Sequence, residues 1–83
     1  MTNEELIRQI RAMVSAEYDA IKMYTILAET CEDESAKKIL IDIANEERVH
    51  AGEFLNLLMR LDPTEEKYYS EGSAEADKIL GED

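Results

Sequence analysis

The sequence has one cysteine, one proline, one phenylalanine and no tryptophan in 83 residues. A lone cysteine, Cys31, excludes an internal disulfide, and a reducing cytoplasmic compartment is the simplest expectation. Because the chain has a single proline and three glycines, few residues would interrupt a long helix. No apolar run is long enough to cross a bilayer. The opening residues, Met1-Thr2-Asn3-Glu4-Glu5, do not resemble a signal peptide.

Positive charge is also scarce. Nine basic residues stand against 20 acidic ones, which gives a formal net charge of −11. The phosphate backbone of nucleic acid and the surface of an anionic membrane would repel such a chain, so neither is expected as a partner. A chain of 83 residues forms one domain at most. Its core would be marginal alone, and oligomerisation is a common remedy.

The first half of the chain predicts one long helix. Thr2 and Glu5 have the spacing of a capping box, and no glycine or proline follows until after Cys31. We expect this helix to end near Thr30 or Cys31. The polar segment 32–35 contains residues that favour helix N-caps, so it predicts a tight connection to a second helix.

The second helix is expected from about Ser35 to Leu61, where Asp62 and Pro63 end it. Residues 64–71 can form a short helix that Gly72 and Ser73 break, with one or two further turns over 74–80. The sequence therefore predicts an all-α fold. Residues 1–62 would form an antiparallel helical hairpin, and residues 63–83 a short C-terminal helical segment and tail.

Each long helix carries an apolar stripe that is interrupted by metal-ligand side chains. The stripe residues recur at steps of four and three, the spacing of one helix face. Glu17 interrupts the first stripe, and Glu47 and His50 interrupt the second. Burying ionisable groups is costly unless something compensates them, and a metal ion compensates two carboxylates and an imidazole well. The stripes are Leu6, Ile10, Met13, Glu17, Ala20, Tyr24 and Leu27, and Ala36, Leu40, Ile43, Glu47, His50, Phe54, Leu57 and Leu61.

The position of the turn brings the interrupting residues to one level. The midpoint between positions 17 and 47 is 32, and the midpoint between 17 and 50 is 33.5, and both fall in the predicted connection. One hairpin thus supplies one glutamate and one Glu-x-x-His pair, whereas di-iron four-helix bundles use twice that set. A two-fold homodimer would complete the site and cover the apolar stripe. Carboxylates with imidazole suit iron or manganese, and zinc is an alternative.

At these residues the chain resembles the encapsulated ferritins, a two-helix branch of the ferritin-like superfamily. The resemblance covers about residues 5–63. It is carried by Glu17-Tyr18-Asp19-Ala20-Ile21-Lys22-Met23-Tyr24, by Asn45-Glu46-Glu47-Arg48-Val49-His50-Ala51-Gly52-Glu53-Phe54 and by Leu61-Asp62-Pro63.

The resemblance implies a ferroxidase that oxidises Fe(II) with dioxygen at a di-iron site shared by two subunits. Glu17, Glu47 and His50 would ligate iron, with Mn, Zn or Ca as substitutes. It further implies that Tyr24 lies near the metals and that Asp19 lies on the route by which iron enters. Dimers would assemble into a ring, a decamer in many members, inside an encapsulin shell that stores the iron mineral. This places the chain in a cytoplasmic nanocompartment.

Two other functions are consistent with the residues. The chain could be a non-catalytic oligomer in which zinc or manganese holds the hairpins together. Alternatively, it could be a metal-free acidic interaction module that docks on a basic partner. Turnover of Fe(II) distinguishes the ferroxidase from both, and the metal content of the purified protein distinguishes the two alternatives from each other.

Overall fold

A computed structural model describes residues 1–82 of the chain, and it contains three α-helices. They are α1 (Asn3–Thr30), α2 (Glu34–Leu61) and α3 (Thr64–Ile79). No strand occurs in the described residues, so the predicted all-α fold is confirmed. The helices α1 and α2 form the predicted hairpin, and α3 packs only against α2 at the level of the backbone.

Polar caps define where the two long helices begin. The Oγ1 of Thr2 accepts a hydrogen bond from the amide of Glu5 at 3.1 Å, and the Glu5 carboxylate accepts one from the amide of Thr2 at 2.9 Å. This is the predicted capping box. At the start of α2, the Asp33 carboxylate accepts from the amide of Ala36 at 2.9 Å. The connection is therefore residues 31–33, and the half-buried Cys31 caps the end of α1.

The core of the hairpin is narrow and rich in alanine. Within each helix successive buried side chains are four, seven or fourteen positions apart, so they form one line along the helix. Small residues let the two helix backbones approach closely, and Leu58, only 2% exposed, closes the open end of the hairpin. The buried residues are Ile10, Val14 and Ala28 from α1, and Ala44, Ala51 and Leu58 from α2.

The predicted break at Gly72 and Ser73 is wrong, because α3 runs through both residues. A glycine inside a helix costs roughly 1 kcal/mol relative to alanine, and the alanine, glutamate and lysine residues around it favour the helix enough to offset that cost. The helix ends instead near Gly81, which adopts the left-handed conformation with φ 72°. Its amide donates to the carbonyl of Lys78 at 3.1 Å, as expected of a glycine after a helix end. The predicted tail residue Asp83 lies outside the described residues.

The chain is flat and open. It measures 44 × 44 × 14 Å, so it is little thicker than one helix of about 10–12 Å diameter. Its radius of gyration is 16.6 Å, against roughly 12 Å for a compact domain of this length. Its accessible surface is 6408 Å², against roughly 5,000 Å² for a folded monomer of this size. A single layer of helices leaves both broad faces of the hairpin uncovered. None of the helices described is apolar enough over a sufficient length to span a membrane.

Candidate metal centre

Glu17 of α1 and Glu47 and His50 of α2 meet halfway along the hairpin. One ligand atom from each residue lies within 4.8 Å of the other two. The Nδ1 of His50 is 3.6 Å from a carboxylate oxygen of Glu47, across one helical turn. Metal–ligand bonds of about 2.0–2.2 Å place two donors at most about 4.4 Å apart, so a bound ion would draw the three only slightly inward.

The burial of Glu17 fits a cation at this position. Its Oε2 is buried and, within the described residues, has no hydrogen-bond partner. An unpartnered buried carboxylate oxygen is unfavourable, because it has lost its hydration and gained nothing in exchange. A positively charged ion between the three donors would supply the missing interaction. The chemistry of the donors, two carboxylates and one imidazole, suits iron, manganese or zinc.

The cluster opens onto one broad face of the hairpin. Glu17 is half-buried and the Glu47 side chain is 20% exposed, whereas the His50 side chain is 48% exposed. Apolar residues surround the cluster on this face. We call it the ligand face. By helical spacing from the three ligands, it comprises Leu6, Met13, Ala20, Tyr24 and Leu27 of α1 and Ile39, Ile43, Phe54, Leu57 and Leu61 of α2.

The predicted stripes therefore do not form the core of the single hairpin, apart from Ile10. Leu27 is 52% exposed, and Met13 and Leu57 are exposed as well. The physical reason is that each helix has an apolar arc wide enough for two contacts. One edge of the arc, which includes Val14 and Leu58, packs inside the hairpin, and the other edge carries the ligands and faces outward.

The chain matches a known protein family over most of its length. Residues 10–81 match the family described as Rubrerythrin. The chain belongs to the rubrerythrin family. The crystal structure of an encapsulated ferritin domain from Pyrococcus furiosus superimposes with a TM-score of 0.95 at 42% sequence identity, covering 98% of this chain and 83% of that one. The predicted resemblance to encapsulated ferritins is confirmed.

Two curated relatives extend the comparison. This rubrerythrin-family chain is 42% identical over 80 residues to a ferritin-like–encapsulin shell fusion protein of Pyrococcus furiosus. It is 42% identical over 71 residues to the encapsulin nanocompartment cargo protein EncC of Myxococcus xanthus. These alignments cover 96% and 86% of this chain, but only 23% and 55% of the relatives.

Tyr24 and Asp19 lie outside the three-residue cluster. Tyr24 is half-buried and follows Glu17 by seven positions, so it is on the same side of α1 two turns away. Asp19 is exposed and follows Glu17 by two positions, so within one chain it points to a different side. The roles of both residues, like the metal-ligand roles of Glu17, Glu47 and His50, remain predictions.

Sequence reasoning missed a second polar cluster at the open end of the hairpin. The Arg11 guanidinium donates to Asp62 at 3.1 Å and also to Glu65. These pairs join residues 51 and 54 positions apart, which no helical spacing rule connects. The one available signal was the pairing of Asp62 with Pro63, which was interpreted only as the end of α2.

Proposed function

We propose that this chain is a ferroxidase that oxidises Fe(II) to Fe(III) with dioxygen at a di-iron site formed between two subunits. Two observations carry the proposal: a carboxylate oxygen of Glu17 lies within 4.8 Å of donors from Glu47 and His50, and the same carboxylate has a buried oxygen without a hydrogen-bond partner. A carboxylate with one buried, unsatisfied oxygen, beside a second carboxylate and an imidazole, is best explained as half of a metal site.

A second copy of the chain supplies what one hairpin lacks. Di-iron four-helix bundles use a glutamate from each of two helices and a Glu-x-x-His motif from each of two others. Each chain here has one of each, and its ligands lie on an exposed apolar face of a layer only 14 Å thick. Placing two ligand faces together about a two-fold axis would bury these apolar residues and join the half-sites. The result would be a four-helix bundle.

The donors would also favour oxidation of the bound substrate. In the assembled site, Glu17 and His50 would each bind one iron ion, and Glu47 would bridge the two. Four carboxylates, two from each chain, stabilise Fe(III) more than Fe(II), because their interaction energy grows with the charge of the ion. Two ferrous ions would give one electron each to one dioxygen molecule, and two protons from water would complete its reduction to hydrogen peroxide.

The names of both curated relatives refer to encapsulins, and this supports a cellular location for the reaction. One relative is a fusion to an encapsulin shell and the other is described as cargo of an encapsulin nanocompartment. We propose that this chain acts in the same setting: as a ring of dimers, a decamer in the simplest case, inside an encapsulin shell in the cytoplasm. Iron oxidised at the subunit interface would be stored in that compartment.

The proposal is tested by separating assembly from ligation. Leu57 lies on the ligand face. Ile41 is 50% exposed and lies on the opposite side of α2, because its position 16 residues earlier places it about 160° round the helix from Leu57. We expect Leu57→Glu to block dimerisation and abolish Fe(II) oxidation although all three ligands are intact. Ile41→Glu introduces the same charge on the same helix and should change neither dimerisation nor activity. Glu47→Ala should form dimers and lose activity.

Sedimentation velocity gives the oligomeric state, and absorbance of Fe(III) under air gives the initial rate, with a protein-free control. A monomeric Leu57→Glu variant that oxidises iron at the wild-type rate per chain would refute the shared site. Wild-type protein that oxidises Fe(II) no faster than the control, but dissociates when its metal is chelated, would instead indicate a metal-stapled oligomer.

A further inference from the structure

The Arg11 cluster is the polar connection between α1 and α3. The Nη2 of Arg11 lies 3.1 Å from Oδ2 of Asp62, which caps the end of α2, and it also bonds Oε1 of Glu65 in the first turn of α3. Tyr69, one turn further along α3, lies near Glu65, and each residue shifts the pKa of the other. One guanidinium thus joins all three helices.

Little else holds α3 in place. No Cα atom of α3 comes within 8 Å of a Cα atom of α1. Glu65 is the one residue of α3 that is not exposed, with 14% of its side chain accessible. Two residues, Asp62 and Pro63, separate α2 from α3, and hinges between rigid elements consist of a few such residues at helix ends.

The cluster also covers part of the hairpin core. A crevice of about 280 Å³ lies between the three helices, next to the Arg11 guanidinium. Val14 and Leu58 line its hairpin side, and Tyr69 forms its wall from α3. If α3 moved away, the ring of Tyr69 would leave the crevice and expose the apolar side chains beneath.

We propose that Arg11, Asp62, Glu65 and Tyr69 form a latch that fixes the angle of α3 on the hairpin, and that α3 swings about residues 62–63 when the latch opens. The inference concerns the opposite edge of the hairpin from the ligand face and does not depend on metal binding. The angle between α3 and the hairpin therefore depends on a single arginine of α1.

The charges of the latch are mutually stabilising. Hydrogen bonds from Thr64, with the nearby Arg11 charge, lower the pKa of Asp62. The bond from Arg11, followed by that from Tyr69, lowers the pKa of Glu65, and the bond to Glu65 raises the pKa of Tyr69.

The other ionisable groups facing the latch come from α1. Glu4 and Arg8 line the adjoining cleft with Arg11 and Asp62, and Tyr18 lies near Tyr69. Arg8 is a second cation in this cleft, but it takes no part in the ion pairs that define the latch. Arg8 is therefore the natural control for Arg11.

The test is a distance measurement by double electron–electron resonance in the full chain. Spin labels are attached at Asp42→Cys on α2 and Glu75→Cys on α3, both exposed positions, in a Cys31→Ser background. Labelled chains are mixed with excess unlabelled chains before assembly, so that the distance is within one chain. We expect one narrow distance for the wild-type latch.

Arg11→Gln should broaden or shift this distance, and Glu65→Gln should act in the same direction while leaving Arg11 paired with Asp62. Arg8→Gln removes the same charge one turn away and should leave the distance unchanged. Far-UV circular dichroism confirms that each variant is helical. If Arg11→Gln and Glu65→Gln both keep the wild-type distance, or if Arg8→Gln changes it as much, the latch is refuted.

Discussion

Glu17 gives the sharpest prediction, because its buried oxygen should destabilise the metal-free protein. The Oε2 of Glu17 has no hydrogen-bond partner in the described chain. Leaving a buried polar group unsatisfied costs about 1–3 kcal/mol, and more if the group is charged. Methionine has nearly the shape of glutamate without its charge. We therefore expect Glu17→Met to raise the free energy of unfolding of the chelated protein by about 1–3 kcal/mol.

Bound metal should make the wild-type protein more stable than Glu17→Met. An ion that binds the folded state at 100 times its dissociation constant stabilises it by about 2.7 kcal/mol. The wild-type protein should gain this increment from Mn²⁺, which is stable under air, and Glu17→Met should gain much less. For a chain of this size, 1 kcal/mol corresponds to a shift in Tm of about 4–8 °C, so both changes are measurable.

The assay is thermal unfolding followed by circular dichroism at a fixed chain concentration, with and without chelator. Glu46→Met is the matched control, because Glu46 is exposed and a substitution there should change stability by less than about 0.5 kcal/mol. A lower Tm for metal-free Glu17→Met would refute the reasoning, since it would mean that the carboxylate is satisfied without metal.

Three further predictions concern the fold. Leu58→Ala should lower the free energy of unfolding by about 2–5 kcal/mol in urea titrations, because Leu58 is 2% exposed at the end of the core. Gly72→Ala should stabilise α3 by about 1 kcal/mol, measured as slower amide exchange in that helix, since a methyl group there would meet nothing within 4 Å. The pKa of Glu65 is lowered in the folded chain, chiefly by Arg11. The stability that this pair contributes is therefore complete above the unfolded-state pKa of about 4.3. It is lost as the pH falls through the lowered pKa of the folded state. Acid titration of helicity should therefore be less steep in Arg11→Gln than in the wild type, and equal curves would contradict this assignment.

The hairpin could be predicted because its signals are local. A capping box at Thr2, an unbroken run of helix formers and a polar connection near residue 33 each depend on residues a few positions apart. The proximity of Glu17 to Glu47 and His50 then followed from the position of the turn. The break predicted at Gly72 was wrong for a related reason, since glycine lowers helix propensity by an amount that its neighbours can offset.

The division of apolar residues between two surfaces could not be read from periodicity. A stripe at steps of three and four identifies the apolar arc of a helix, but not which edge of the arc packs inside the hairpin. The structure assigns Val14, Ala44 and Leu58 to the core, and leaves Leu27 and Leu57 on the exposed ligand face. Because the ligands lie on this exposed face, a second chain is needed to bury them.

The sequence by itself determined the approximate positions of α1 and α2, the hairpin and the level at which two carboxylates and a histidine meet, because helix geometry converts spacing into position. Only the tertiary structure decided that Glu17 has an orphaned oxygen, that the ligands face outward, and that Arg11 reaches Asp62 and Glu65 from the other end of the chain. These features depend on how two helices are rotated against each other and on the angle of α3, and contacts between residues more than 50 positions apart set that angle.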